Sequence, residues 1–142
     1  MKEKGFTFIE VMVVVAILAV LAALVIPKIV NRSDDARHDA AKIQIRSLEG
    51  ALQLYKLDNS VYPSTEQGLK ALVDRPTVGA IPRRWKSGGY LPTVPNDPWG
   101  TPYKYVNPSS HGEYEIISLG ADGQVGGEGN NADVTNRNLA KD

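Results

Sequence analysis

Asp122 and Asp133 stand eleven residues apart and bracket a segment that carries four glycines, Gly123, Gly126, Gly127 and Gly129. Glycine lets main-chain carbonyls turn inward, and a hard cation such as calcium takes about six to eight oxygens, carbonyls among them. The spacing is not that of an EF-hand. Counted from Asp122, Gly127 and Asp133 take the sixth and twelfth places, but Gln124 and Gly126 stand where inner oxygen ligands belong. On pattern alone two readings stand level: a cation loop, and a flexible glycine loop whose acids aid solubility. A third acid, Glu10, heads the run Val11–Ile26, in which no side chain is polar. A charge at the edge of a membrane-length apolar run is costly, so it calls for a partner.

Little else in the chain could do chemistry. There is no cysteine, which excludes a disulfide, thiol catalysis and thiolate metal binding. His38 and His111 lie far apart with no ligand spacing around either, and both are expected to be exposed. No nucleophile–base–acid set and no phosphate loop emerge, so the chain does not read as an enzyme. Sixteen basic and sixteen acidic residues cancel, leaving no field that would recruit nucleic acid.

The elements around these residues follow from periodicity. Phe6–Ile26 makes about 31 Å of helix, close to the thickness of a bilayer's hydrocarbon core. Lys2 and Lys4 put the N-terminus on the cytoplasmic side and everything after Pro27 beyond the membrane. A secretory signal would be shorter and end in a small-x-small cleavage site; the apolar run instead passes Ala22-Ala23 and continues through Leu24-Val25-Ile26. Pro27 lacks an amide proton and is expected to kink or unwind the helix between Ala23 and Lys28. Beyond Asn31, Ala41, Ile45, Leu48, Leu52 and Tyr55 form a narrow apolar stripe with charges on the other faces. Asp58-Asn59-Ser60 ends that helix, and Ser64 with Gln67 reads as a capping box opening a short helix through Val73.

From Arg75 to Pro98 the chain is rich in proline and glycine and reads as an irregular loop pinned by Trp85, Tyr90 and Leu91. Asp97-Pro98-Trp99-Gly100 turns into a strand over Pro102–Val106, and Asn107–Gly112 turns again into an antiparallel partner over Glu113–Leu119. The expected fold class is α+β: a long N-terminal helix, its second half packed on a small antiparallel sheet.

Four stretches carry a family likeness. Gly5-Phe6-Thr7-Phe8-Ile9-Glu10 resembles the processing site of type IV prepilins and pseudopilins. Tyr55–Asn59 with Tyr62-Pro63 and Gln67-Gly68-Leu69, the Asp97–Gly100 turn, and Leu119–Asp133 resemble the major pseudopilins of type II secretion, the general secretion pathway protein G family. The resemblance implies a type IV pilin-like fold in three parts: a leader over residues 1–5, a transmembrane and filament-core helix over 6–27, and a periplasmic domain over 28–142. A prepilin peptidase would cut between Gly5 and Phe6, and Phe6 would be N-methylated. Glu10 would then pair with the Phe6 amino group of a neighbouring copy, the unpaired alternative being a buried charge.

For the glycine loop the resemblance implies structural calcium. Asp122 and Asp133 would give carboxylates, Leu119 and Val125 main-chain carbonyls, and Asn131 a side-chain oxygen. Ala132 stands where some relatives have a further acid, and Arg137 where relatives often place tryptophan. The implied partners are further copies in a helical filament, minor pseudopilins, the inner-membrane assembly platform and its ATPase. The implied location is the bacterial inner membrane, single pass, and a periplasmic filament after assembly, whose growth drives folded proteins across the outer membrane. A type IV pilin for adhesion, motility or DNA uptake shares the N-terminal segment; many of those carry a C-terminal disulfide loop, which a chain without cysteine lacks.

Overall fold

A computed structural model describes residues 5–139, the side chains of residues 24–32 excepted. Lys2 and Lys4, on which the expected orientation in the membrane rests, lie outside the described residues. The chain forms two compact units, Met1–Ala36 and Arg37–Asp142.

A single helix, α1, spans Phe8–Asn59. It continues through Pro27 without a break, which corrects the expected unwinding there. Proline removes one amide bond, and its β-branched flanks Val25-Ile26 and Ile29-Val30 are middling helix formers, yet a cooperative helix already nucleated on both sides propagates across a single unfavourable residue. The helix stops where the sequence says it should. Ser60 takes a left-handed φ of 67°, and the Asn59 side-chain amide donates to the Tyr55 carbonyl at 3.0 Å. That bond adds a second donor to a carbonyl of the last turn, while the Ser60 amide donates to the Lys56 carbonyl at 2.7 Å and satisfies one that the helix end leaves open.

In the Arg37–Asp142 unit the apolar stripe is fully used. Ala41, Ile45, Leu48, Leu52 and Tyr55 are all buried, joined by Ala51. They pack with Leu69, Leu72, Tyr103, Tyr105, Ile116 and Val134 in one core. The capping box also forms, with the Ser64 amide donating to Gln67 Oε1 and the Gln67 amide to Ser64 Oγ. It opens a turn and then the expected short helix, which is of the 3-10 kind and spans Leu69–Leu72 with Val73 as its C-cap. Gly68, at φ 60° and ψ −170°, sits in a region only glycine enters readily and breaks any α-helical continuation.

The sheet has three antiparallel strands in the order β1 (Lys104–Val106), β2 (Glu115–Ser118) and β3 (Val134–Thr135). The first two match the expected hairpin. The third is two residues long, and the glycine loop lies between β2 and β3. The irregular segment from Arg75 is pinned as expected: Trp85 Nε1 donates to the Ala71 carbonyl at 2.9 Å, and the Tyr90 hydroxyl donates to Asp58 Oδ2 at 3.0 Å. Tyr105 donates to the Pro63 carbonyl, and burial holds the Tyr103 and Tyr105 phenols well above their ordinary 10.0. Both remain neutral donors across the physiological range.

Candidate functional site

At the start of α1, Thr7 and Glu10 form a second capping box. Glu10 Oε2 accepts from the Thr7 amide at 2.8 Å and from its hydroxyl at 2.7 Å, while the Glu10 amide donates to Thr7 Oγ1 at 3.3 Å. The spacing Thr7-x-x-Glu10 is the signature of that motif, a role for Glu10 that its charge alone does not reveal. Both side-chain bonds fall on Oε2. Phe6 is 87% exposed, and from Val11 to Leu21 the large apolar side chains run from 47% to 63% exposed. Among the described residues no helical stretch is long and apolar enough to cross a membrane. The side chains of Leu24-Val25-Ile26, which continue the run, lie outside them.

The glycine loop is built on the sheet. β2 and β3 pair Ile117 with Thr135 and Ser118 with Val134, so the next antiparallel step sets Leu119 opposite Asp133 at the mouth of the loop. Asp133 Oδ2 accepts from the Gly126 amide at 2.9 Å. Asp133 Oδ1 is buried with no hydrogen-bond partner, a condition costing about 1–3 kcal/mol or more for a charged group. Two glycines make the fold of the loop possible. A Cβ on Gly120 would lie 2.7 Å from the Asn131 carbonyl, and one on Gly127 2.5 Å from the same oxygen. The Asn131 backbone is thus gripped between two positions that admit no side chain.

Of the five residues expected at the cation, the fold brings Leu119, Asp133 and the Asn131 backbone together. Asp122 is exposed and its Oδ1 accepts from the Gln124 amide at 3.0 Å. Val125 is 80% exposed, and the peptide it shares with Gly126 turns its N–H toward Asp133, so the Val125 carbonyl points the other way. Among the described residues there is no group of three His, Cys, Asp or Glu side chains that could hold a metal. Any cation here must draw on carbonyls. The partnerless oxygen of Asp133 is what such an ion would satisfy, so the residues fit a hard cation.

Two neighbours of the loop, Asp97 and Trp99, carried no expectation as site residues, and a third, His38, carried a different one. Asp97 is buried, its Oδ1 accepting from the Trp99 and Thr101 amides and its Oδ2 from Ser118 Oγ at 2.6 Å. Trp99 Nε1 donates to Asn130 Oδ1 at 3.2 Å, tying the turn to the loop. His38 is not exposed as expected: its ring packs edge-on against Trp99 at 4.9 Å, and its Nε2 is buried without a partner. It lies on the flank of the buried stripe, three residues before Ala41, a position the narrow apolar pattern left out. His111 is exposed, as expected.

A long helix carrying an uncovered apolar head, with its second half wedged against a three-stranded sheet, defines a pilin-like subunit. Residues 28–137 match the family model described as type II secretion system (T2SS), protein G, and residues 1–26 match the prokaryotic N-terminal methylation motif. Type II secretion system core protein G of Pseudomonas aeruginosa is 51% identical over 135 residues, covering 95% of each chain. The protein of that name from Vibrio cholerae is 50% identical over 138 residues, covering 97% of this chain and 94% of its own. The crystal structure of the major pseudopilin from the type 2 secretion system of enterohaemorrhagic Escherichia coli superposes with a TM-score of 0.67 at 40% identity. It covers 74% of this chain and 90% of that one. The chain belongs to the type II secretion system protein G family, the major pseudopilins, and is a structural subunit, not an enzyme.

Proposed function

We propose that this chain is inserted in the bacterial inner membrane with its C-terminal domain in the periplasm, is cut between Gly5 and Phe6 by a prepilin peptidase, and polymerises into a periplasmic pseudopilus. Growth of that filament drives folded proteins across the outer membrane. The observation that carries the reading is the uncovered apolar face from Val11 to Leu21. Each such side chain contributes about 1.5–3 kcal/mol when removed from water, so the segment needs lipid first and sister helices later. Glu10 sets the register: Oε2 is held by Thr7, and Oε1 is offered to the methylated Phe6 amino group of a neighbour. Minor pseudopilins, the assembly platform and its ATPase are the partners this task requires. No nucleic acid is involved. In the folded domain a structural calcium would be held by Asp133, Asp122, the Leu119 carbonyl and Asn131, and Val125 would join only if its peptide turned over. The ion would supply charge neutralisation for carboxylates the loop otherwise leaves poorly matched.

Two measurements test this. Intact-mass and N-terminal analysis of protein from its host is expected to begin at methylated Phe6; a filament made of chains still carrying Gly5 sinks the processing reading. Glu10→Ala is expected to leave membrane insertion unchanged and to lower filament yield at least about tenfold, the scale of breaking a buried ion pair. Normal filaments in that variant remove Glu10 from assembly.

A further inference from the structure

The cation loop is closed by a strand only two residues long, Val134–Thr135. Two residues cannot hold a register, and a slip by one would turn Asp133 to the other face of the sheet. The residues after β3 supply what is missing. The pairing that sets Ile117 against Thr135 continues through the next two positions with one main-chain bond, the remaining contacts being made by side chains. Asn136 stands opposite Ile116: its amide donates to the Ile116 carbonyl at 3.2 Å, and its Oδ1 accepts from the Ile116 amide at 3.1 Å. Arg137 stands opposite Glu115, and its Nε donates to Glu115 Oε1 at 2.7 Å.

Glu115 is 8% exposed while the Arg137 side chain is about half exposed, so the pair lies between a surface contact and a buried one, its value being that it gives the buried carboxylate a partner. Its other oxygen accepts from Ser109 Oγ at 3.2 Å and lies 3.8 Å from His111 Nδ1. Asn138 closes the arrangement from below. Its Oδ1 accepts from the Thr135 amide at 2.8 Å, and its Nδ2 donates to the Asp133 carbonyl at 3.0 Å.

We infer that Asn136, Arg137 and Asn138, with Glu115, form a register lock that positions Asp133 opposite Leu119 for the cation. They are positioning residues. None offers an oxygen to the ion; they fix the backbone that does. In this chain the cross-strand Arg137–Glu115 pair anchors the returning strand by charge. The inference rests on the calcium reading above, and the test separates the two.

Calcium affinity by titration calorimetry, and melting temperature with calcium or with chelator, are measured on the full-length chain in detergent micelles. The variants are Asn138→Ala, Arg137→Gln and Arg137→Lys. Calcium affinity is expected to fall about 10- to 100-fold in Asn138→Ala and Arg137→Gln, the usual range for residues that orient a ligand. Arg137→Lys, which keeps a cation opposite Glu115, is expected to recover much of that loss. The rise in melting temperature on adding calcium shrinks in the first two variants. A role in the fold alone would lower both melts together and leave that rise unchanged, which overturns the proposal, as does wild-type affinity in both variants. If the wild-type chain itself binds no calcium, the calcium reading falls and the lock falls with it; if it binds and the variants bind equally, only the lock falls.

Discussion

The two ends of α1 obey the same helical period and reach opposite outcomes. Between Val11 and Leu21 apolar side chains occupy every face and all stay exposed; between Ala41 and Tyr55 the stripe of Ala41, Ile45, Leu48, Leu52 and Tyr55 is buried, and only Ile43 and Leu54, off the stripe, are exposed large apolar side chains. The first pattern has no polar face to give to water, so no packing within one chain could complete it. The second has charges on its remaining faces and is completed by its own sheet. Amphipathicity, more than apolar content, separates a helix that folds with its own chain from one that waits for others.

The sharpest way to break that comparison is to remove one leucine from each end. Leu52→Ala opens a hole in the buried stripe and is expected to lower stability by about 2–5 kcal/mol. Leu18→Ala is expected to leave the melt unchanged and to act only on assembly. Trp85 and Trp99 are the only tryptophans and both belong to the Arg37–Asp142 unit, so thermal melts followed by their fluorescence report that unit. A Leu18→Ala melt shifted as far as that of Leu52→Ala would erase the distinction.

The contrast also explains what could be read in advance. The buried stripe was legible because its 4-3-4-3 spacing leaves one face for apolar residues, and the hairpin of β1 and β2 because turn residues bracket it. β3 was not: Val134–Thr135 lies between Asp133 and Asn136, and no alternation can be seen in two residues. Its partner atoms come largely from side chains, Asn136, Arg137 and Asn138, which read locally as a polar tail. Likewise Glu10 stood out as a charge because of the apolar run behind it, while the Thr7 bond that holds it needed only the three-residue spacing. In the loop, Asp133 could be named from its place in the pattern. That Val125 presents the wrong side of its peptide could not, since φ and ψ of glycine neighbours are not written in residue types.

A smaller effect tests the loop against the core. Removing calcium with a chelator is expected to lower the melting temperature of the wild-type chain, and Asp122→Ala to abolish that sensitivity. With calcium at about a hundredfold over its dissociation constant, the stabilisation lost is about 2.7 kcal/mol. Identical melts with and without chelator would return the loop to the flexible reading and leave the partnerless Asp133 oxygen to be satisfied by water.

The smallest effect is the most discriminating, because one motif occurs in both regions. Ser64 with Gln67 and Thr7 with Glu10 are both capping boxes with reciprocal bonds. Replacing the capping hydroxyl costs about 1 kcal/mol wherever the capped turn melts with the rest. Ser64→Ala is therefore expected to lower the tryptophan-monitored melt of the detergent-solubilised chain by about that amount, since Gln67 is buried and its amide nitrogen also donates to the Val78 and Ala80 carbonyls. Thr7→Ala removes the same kind of bond from an exposed turn of the Met1–Ala36 unit, so the melt of the other unit is expected to stay where it is. What it frees is the Glu10 carboxylate, and its consequence belongs to filament yield. Equal shifts of the melt from both substitutions would mean that the head of α1 is thermodynamically continuous with the folded domain, and that its exposed face is stabilised by something other than the neighbours it lacks.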